Sequence, residues 1–193
     1  MAYHHGDLKR ALLTEGVAIL QQGEAFSLRA LAKRVGVTPA SVYRHFSSKD
    51  QLFAALAEEG FVQLEKMFDD LPKKPAEDFL LDLGEAYVNF ALAYPVHFKI
   101  MFADQTWNLG GDEVTTQLQK SSDATFATLF EVCMELTNKV PHKQEILVAA
   151  TWSQVHGFAL LAINKQLCMI ESRLTIREVL DLTWRNIAQR LDF

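Results

Sequence analysis

Between Thr38 and Lys49 stand the hydroxyls of Thr38 and Ser41, a phenol (Tyr43), a guanidinium (Arg44), an imidazole (His45) and an ammonium group (Lys49). The slim residues Pro39 and Ala40 stand beside them, and Arg29 adds a cation just upstream. Such donors suit phosphate oxygens and base edges, and small residues at the start of a helix let it enter a major groove. The chemistry on offer is the gripping of a polyanion, not the breaking of a bond. No Glu-x-x-His pair, glycine-rich phosphate loop or Ser or Cys nucleophile motif occurs, so no catalytic residue is expected. A helical-bundle enzyme using His97, His156 and carboxylates is the weaker alternative. Cys133 and Cys168 lack any CxxC or Cys/His ligand spacing and read as buried apolar fillers, so neither a metal site nor a disulfide is expected. The adjacent pair His4 and His5 has poor metal geometry; it is either a frayed terminus or an arm that touches phosphate.

These groups need a scaffold, and the surrounding pattern supplies helices, whereas alternating strand patterns with hairpin turns are absent. A first helix starts near Asp7, turns Leu8, Ala11, Leu12 and Ile19 to one side and stops at Gly23. Ser27 caps a second helix that carries Leu28, Leu31, Ala32 and Val35 inward, and Gly36 ends it. Thr38 caps a third with Pro39 at its first position, running to about Phe46. Val42 and Phe46, at i and i+4, face inward and leave Ala40, Ser41, Tyr43, Arg44 and His45 outward. Two short helices joined by a tight glycine turn make a helix-turn-helix. Ser48-Lys-Asp-Gln51 reads as a capping box that opens a long helix over 48–71. After the linker-like Pro72-Lys-Lys-Pro75, helices are expected near 76–94, 96–104, 112–138, 143–165 and 174–192. The fold class is therefore all-α, about nine helices in total. A helix-turn-helix domain over 1–50 is joined through helix 48–71 to a helical body over 51–193.

Composition agrees with an ordinary globular protein: the chain has 193 residues, 49% hydrophobic and 22% charged. Its longest apolar run in the C-terminal half, Phe158 to Ile163, is far short of the roughly 18 residues that span a bilayer, so no membrane span is expected. No signal peptide is apparent, and cytoplasm is the expected compartment. The net charge of −5 is unevenly placed: seven cations against four anions leave residues 1–50 at +3, and the remainder at −8. A basic head on an acidic body is the asymmetry of a protein whose one small region meets phosphates.

The run Leu31-Ala-Lys-Arg-Val-Gly-Val-Thr-Pro-Ala-Ser-Val-Tyr-Arg-His-Phe-Ser-Ser-Lys-Asp-Gln-Leu52 closely resembles the DNA-binding signature of the tetracycline-repressor (TetR) family. Tyr3-His-His-Gly-Asp-Leu8 and Trp152-Ser-Gln-Val-His-Gly157 further resemble a branch whose C-terminal domain is named for a Trp-His-Gly element. The resemblance implies a homodimer that grips a palindromic double-stranded DNA operator with two recognition helices, as a repressor released by a small molecule. It also implies that Tyr43, His45 and Lys49 touch phosphates while Thr38, Ala40, Ser41 and Arg44 read sequence. The family often has glycine where Ala40 stands, a departure that can alter base contacts without questioning the fold. A helical scaffold that carries the motif without using it on DNA is the remaining alternative.

In the body, Tyr87, Phe90, Phe98, Met101, Phe102, Trp107, Phe126 and Phe130 either surround a small apolar or aromatic effector or simply make core. His97 either lines that pocket or is a packed or loop histidine. Trp152 and His156, four apart, belong to a pocket, to a dimer seam or to packing, and Gly157 permits close backbone approach. The segment Ile146 to Ile163 is apolar nearly all round and needs cover on more than one side. The expected homodimer contact joins Trp152, Val155, Ala159 and Ile163 to the stripe Leu180, Trp184, Ile187 and Leu191 of the last helix.

Overall fold

The computed structural model describes residues 5–103, 113–169 and 175–191. Among them every regular element is helical: α1 (His5–Gln21), α2 (Leu28–Val35), α3 (Pro39–Tyr43), α4 (Lys49–Asp69), α5 (Ala76–Ala93), α6 (Pro95–Met101), α7 (Glu113–Leu136), α8 (Pro141–Ile163) and α9 (Ile176–Leu191), with a short 3-10 turn at Gln166–Met169. The all-α reading holds, and the helix ends follow their capping chemistry. Ser27 Oγ accepts the Ala30 N–H at 3.1 Å to start α2. Gly36, at φ 79°, closes it: the Val37 N–H reaches the Ala32 carbonyl at 2.9 Å and the Gly36 N–H the Lys33 carbonyl at 3.3 Å. A side chain at that φ would be strained, which is why glycine stands there.

Two details depart from expectation. α3 ends at Tyr43 instead of Phe46; the His45 and Phe46 amides both donate to the Val42 carbonyl, at 2.9 and 3.0 Å, and the chain then reverses through Ser47 and Ser48. The short return to α4 leaves no room for a further helical turn. At the start of α4 the Gln51 N–H donates to Ser48 Oγ at 3.1 Å, as a capping box requires, but Gln51 Oε1 accepts from the Ser47 amide at 2.8 Å, one residue before the usual partner.

The chain divides into two compact units, one of residues 1–61 and 96–120, the other of 62–95 and 121–193. In the first, α2 packs on α1 and α3, and Leu12, Leu31, Val42, Phe46, Leu56 and Phe61 are buried. Phe102 stacks obliquely on Phe98 and edge-on to Phe61, with ring centroids 5.2 and 5.9 Å away. Phe98 and Met101 are fully enclosed.

In the second unit α5 packs on α8 and α9, and these two pack on each other. Gly84 of α5 stands where a Cβ would strike Leu180 Cδ1 and lie 3.2 Å from Val155 Cγ1, so a side chain there would force Leu180 of α9 to shift. Asp82 is buried on the same helix. Its carboxylate takes Lys74 Nζ at 2.6 Å and Arg177 at 2.7 Å, and Arg177 also reaches Glu85 at 2.9 Å. Burial alone would raise the Asp82 pKa, but the hydrogen bonds and charges of Lys74 and Arg177 outweigh it and hold the group below its ordinary value. Cys133 is buried and its thiol is pushed up to about 12, as suits an inert filler; the Cys168 side chain falls outside the described residues. Among the described residues α8 alone is long and apolar enough to cross a membrane by length and composition, a test that a helix packed in a core passes equally, so the expectation of no membrane span is not overturned.

Replacing Gly84 with Ala should lower stability. Overpacking costs about 1–3 kcal/mol and helix propensity returns about 0.5–1 kcal/mol, so a net loss of up to about 2.5 kcal/mol is expected in urea unfolding. The loss should shrink in the Leu180→Ala background. An unchanged midpoint for Gly84→Ala would show that Leu180 makes room without cost.

Candidate nucleic-acid interface

Five residues make too short a helix to hold itself, so α3 takes its position from side chains that it and its neighbours bury. Val42 and Phe46 are enclosed, as are Leu28, Leu31 and Ala32 of α2. The opposite side is open: Thr38, Pro39, Ala40, Tyr43 and Arg44 are exposed, and Ser41 and His45 are half-buried. Thr38 Oγ1 accepts the Ser41 N–H at 3.2 Å, and the two hydroxyls lie 2.9 Å apart in a hydrogen bond. A hydroxyl donates once and accepts twice, so both keep capacity for an outside partner. Arg29 is exposed at the second position of α2, and Lys49 is exposed at the first position of α4. The expected DNA residues therefore share the first unit, those from Thr38 to Lys49 along one short surface stretch.

The cations of this unit are not equivalent. Arg34 is bound into the scaffold: its Nε meets Glu15 at 2.8 Å, and its Nη1 meets Gln22 at 2.9 Å and Glu24 at 3.3 Å. It ties α2 to α1 and the turn that follows, and carries no expectation of DNA contact. Lys49 has no carboxylate within 4.0 Å among the described residues. Instead its Nζ lies 4.8 Å from the Phe53 ring centroid and 5.9 Å from that of Phe26. Sequence reasoning missed both rings, although Phe53, four residues after Lys49, stands on the same face of α4.

The expected effector residues fall in both units. His97, Phe98, Met101 and Phe102 lie in the first unit, where the His97 ring is 3.8 Å from Glu59. Tyr87, Phe126, Phe130, Trp152 and His156 lie in the second, and Trp107 falls outside the described residues. Four of the second set form a chain of contacts: the Tyr87 hydroxyl is 2.8 Å from His156 Nδ1, the Trp152 ring meets His156 at 6.1 Å, and Phe126 meets Trp152 edge-on at 5.1 Å. Burial raises the Tyr87 pKa and lowers that of His156, so the pair is neutral near pH 7. Phe90, also weighed for the pocket, is wholly buried, whereas Phe130 is 45% exposed. A cleft of about 490 Å³ in this unit lies elsewhere, at Met67, Leu71, Lys74, Asp82, Ala86 and Asn89, and shares no residue with the expected pocket.

The expected dimer residues divide by burial. Val155, Ala159, Leu180 and Trp184 are enclosed within the protomer, because α8 and α9 turn them toward α5 and each other; they are core and cannot be its outer surface. Trp152 is exposed, Ile163 and Ile187 are half-buried, and the Leu191 side chain is outside the described residues. Gln154 Nε2 fastens α8 to α9 through Thr183 Oγ1 at 2.7 Å and the Val179 carbonyl at 3.2 Å. The outward face of α8 is a different stripe: Ile146, Ala149, Ser153, Leu160 and Leu161 are exposed, and nothing lies within 4 Å of a Cβ built on Gly157. Its spacing of three, four and seven residues was available in the sequence.

Comparison with known proteins agrees with these elements. Residues 80–183 match the family described as tetracyclin repressor-like, C-terminal domain, and residues 19–56 match bacterial regulatory proteins of the tetR family. The uncharacterized HTH-type transcriptional regulator YobS of Bacillus subtilis is 34% identical over 74 residues, which are 38% of this chain and 39% of that protein. The match thus spans well under half the length of that relative. A solved protein of unknown function from Rhodococcus has a TM-score of 0.74 at 24% identity, covering 98% of both chains. A tetR-family regulatory protein from Rhodococcus has a TM-score of 0.60 at 14% identity, covering 95% of both. At these identities the two structures speak to fold alone.

The partly buried Tyr87–His156 pair generates a pH prediction. Because burial depresses the His156 pKa below its unfolded value of about 6.5, the unfolded chain binds a proton that the native chain refuses. Stability should therefore fall as pH drops from about 6.5 toward the folded pKa, and His156→Gln should flatten that slope in melts across pH 5–8. An unaltered slope would assign the pH dependence to other groups.

Proposed function

The chain belongs to the tetracycline-repressor (TetR) family of transcriptional regulators with a DNA-binding helix-turn-helix, and from that premise we propose that it is a homodimeric repressor released from a palindromic operator by a small-molecule effector. The observation that carries the reading is the open face of α3, where Thr38, Pro39, Ala40, Tyr43 and Arg44 are exposed while Val42 and Phe46 anchor the helix from beneath. On this reading residues 1–50 grip DNA, and residues 51–193 dimerise and receive the effector. Thr38, Pro39, Ala40, Ser41 and Arg44 meet base edges; Arg29, Tyr43, His45 and Lys49 meet phosphates. The protein works in the cytoplasm, where its operator is.

A second copy of the chain is the cover proposed for the outward stripe of α8. Ala149, Ser153 and Gly157 are small enough to let another helix approach, and Ile146, Leu160 and Leu161 supply apolar area on either side. The effector is an apolar or aromatic molecule received near Tyr87, Phe126, Trp152 and His156, where rings are joined by a polar pair. Two-fold symmetry would then place recognition helices on half-sites about 34 Å apart or a multiple of that.

Selection of bound fragments from randomised duplex DNA should enrich an inverted repeat. Arg44→Ala should relax preference at one base pair, by about 1–3 kcal/mol of discrimination, whereas Lys49→Ala should weaken all sequences alike and reduce the salt slope by about one. Equal, sequence-independent losses for both variants would refute that division of roles. For the dimer, Leu160→Glu with Leu161→Glu alters only exposed positions, so sedimentation should report a folded monomer with weakened operator binding. A dimer that survives both charges would move the interface off this stripe.

A further inference from the structure

The interaction of Lys49 with Phe26 and Phe53 has a consequence for DNA binding. A cation at the first position of a helix stands in the unfavourable, positive end of the helix dipole, so its place at the head of α4 is not explained by helix stability. A cation on the surface can be ordered by a carboxylate, as Arg34 is here by Glu15 and Glu24. That remedy neutralises the charge. Lys49 is ordered in another way: the Phe26 and Phe53 rings, 5.2 Å apart and inclined at 54°, both present themselves to its Nζ, at 5.9 and 4.8 Å. The negative faces of aromatic rings attract an ammonium group without supplying a counter-ion, so its full charge stays available. Both rings are half-buried, while Lys49 itself is exposed. Phe53 lies one turn along α4 from Lys49, and Phe26 immediately precedes the Ser27 cap of α2, so the lysine is located by two separate elements of the first unit.

We propose that Phe53, assisted by Phe26, is a positioning residue for DNA binding, whose ring holds the Lys49 ammonium un-neutralised where a backbone phosphate docks. The inference rests on the reading of this unit as the DNA-binding part, and it assigns a role to two residues that do not themselves touch DNA. Holding the long side chain in place beforehand removes part of the ordering cost of each phosphate contact. Leucine at position 53 keeps apolar bulk but lacks the ring's charge distribution; tryptophan offers a stronger face to a cation.

The test is fluorescence anisotropy of a labelled mixed-sequence duplex with the full chain carrying Phe53→Leu, Phe53→Trp, Lys49→Ala or the Lys49→Ala/Phe53→Leu pair, with thermal melts of each. Phe53→Leu should weaken binding about two- to fivefold, Phe53→Trp should match or exceed the parent, and Phe53→Leu should add nothing once Lys49 is alanine. Phe26→Leu should act in the same direction with a smaller effect, which provides a second readout if Phe53→Leu melts early. Parental affinity in both leucine variants, a tryptophan variant as weak as leucine, or full additivity with Lys49→Ala would overturn the proposal while leaving the DNA-binding reading intact. Failure of the parent protein to bind any duplex at low salt would overturn both.

Discussion

Burial of Val42 and Phe46 is the constraint on which the DNA-facing surface depends. α3 is five residues long and cannot persist by its own hydrogen bonds, so its orientation is that of the two apolar side chains it commits to the interior. Once they are inside, helical geometry turns Ala40, Tyr43 and Arg44 outward without any further interaction to hold them there. The glycine at position 36 and the cap at Thr38 serve the same end by fixing how abruptly the chain turns from α2 into α3. Polar chemistry on the outside is thus positioned by apolar chemistry on the inside.

Electrostatics then divides the cations of the head into those spent and those kept. Arg34 is consumed by Glu15, Gln22 and Glu24, which stitches α1 to α2 and so supports the frame on which α3 rests. Lys49 is held by ring faces and retains its charge. The distinction matters for a chain whose overall charge is −5, because attraction to phosphate depends on local, un-neutralised cations and not on the sum.

The body obeys a different rule. α5 is enclosed on most sides, including a carboxylate, Asp82, that is tolerated only because Lys74 and Arg177 satisfy it. With α5 covered and Gln154 pinning α8 to α9, the remaining apolar surface of α8 faces away from the protomer. A helix with apolar residues on all sides satisfies one side at home and leaves the other for a neighbour.

Much of this was legible in the residues themselves. Capping chemistry at Ser27, Gly36, Thr38 and Ser48 depends on neighbours a few positions away, so helix boundaries and the helix-turn-helix followed from local pattern, as did the inward Val42 and Phe46 and the family resemblance of Leu31 to Leu52. Where distance in sequence separates the partners, pattern failed. That Val155, Leu180 and Trp184 are core and not interface is decided by α5 standing against both helices, which no spacing within α8 or α9 can reveal. The aromatic residues expected to share one pocket belong to both compact units, because similar side chains at helical spacing carry no address. Sequence determined which side chains each helix would turn inward; tertiary structure alone decided what they would meet there, since burial is a property of the neighbours that packing brings.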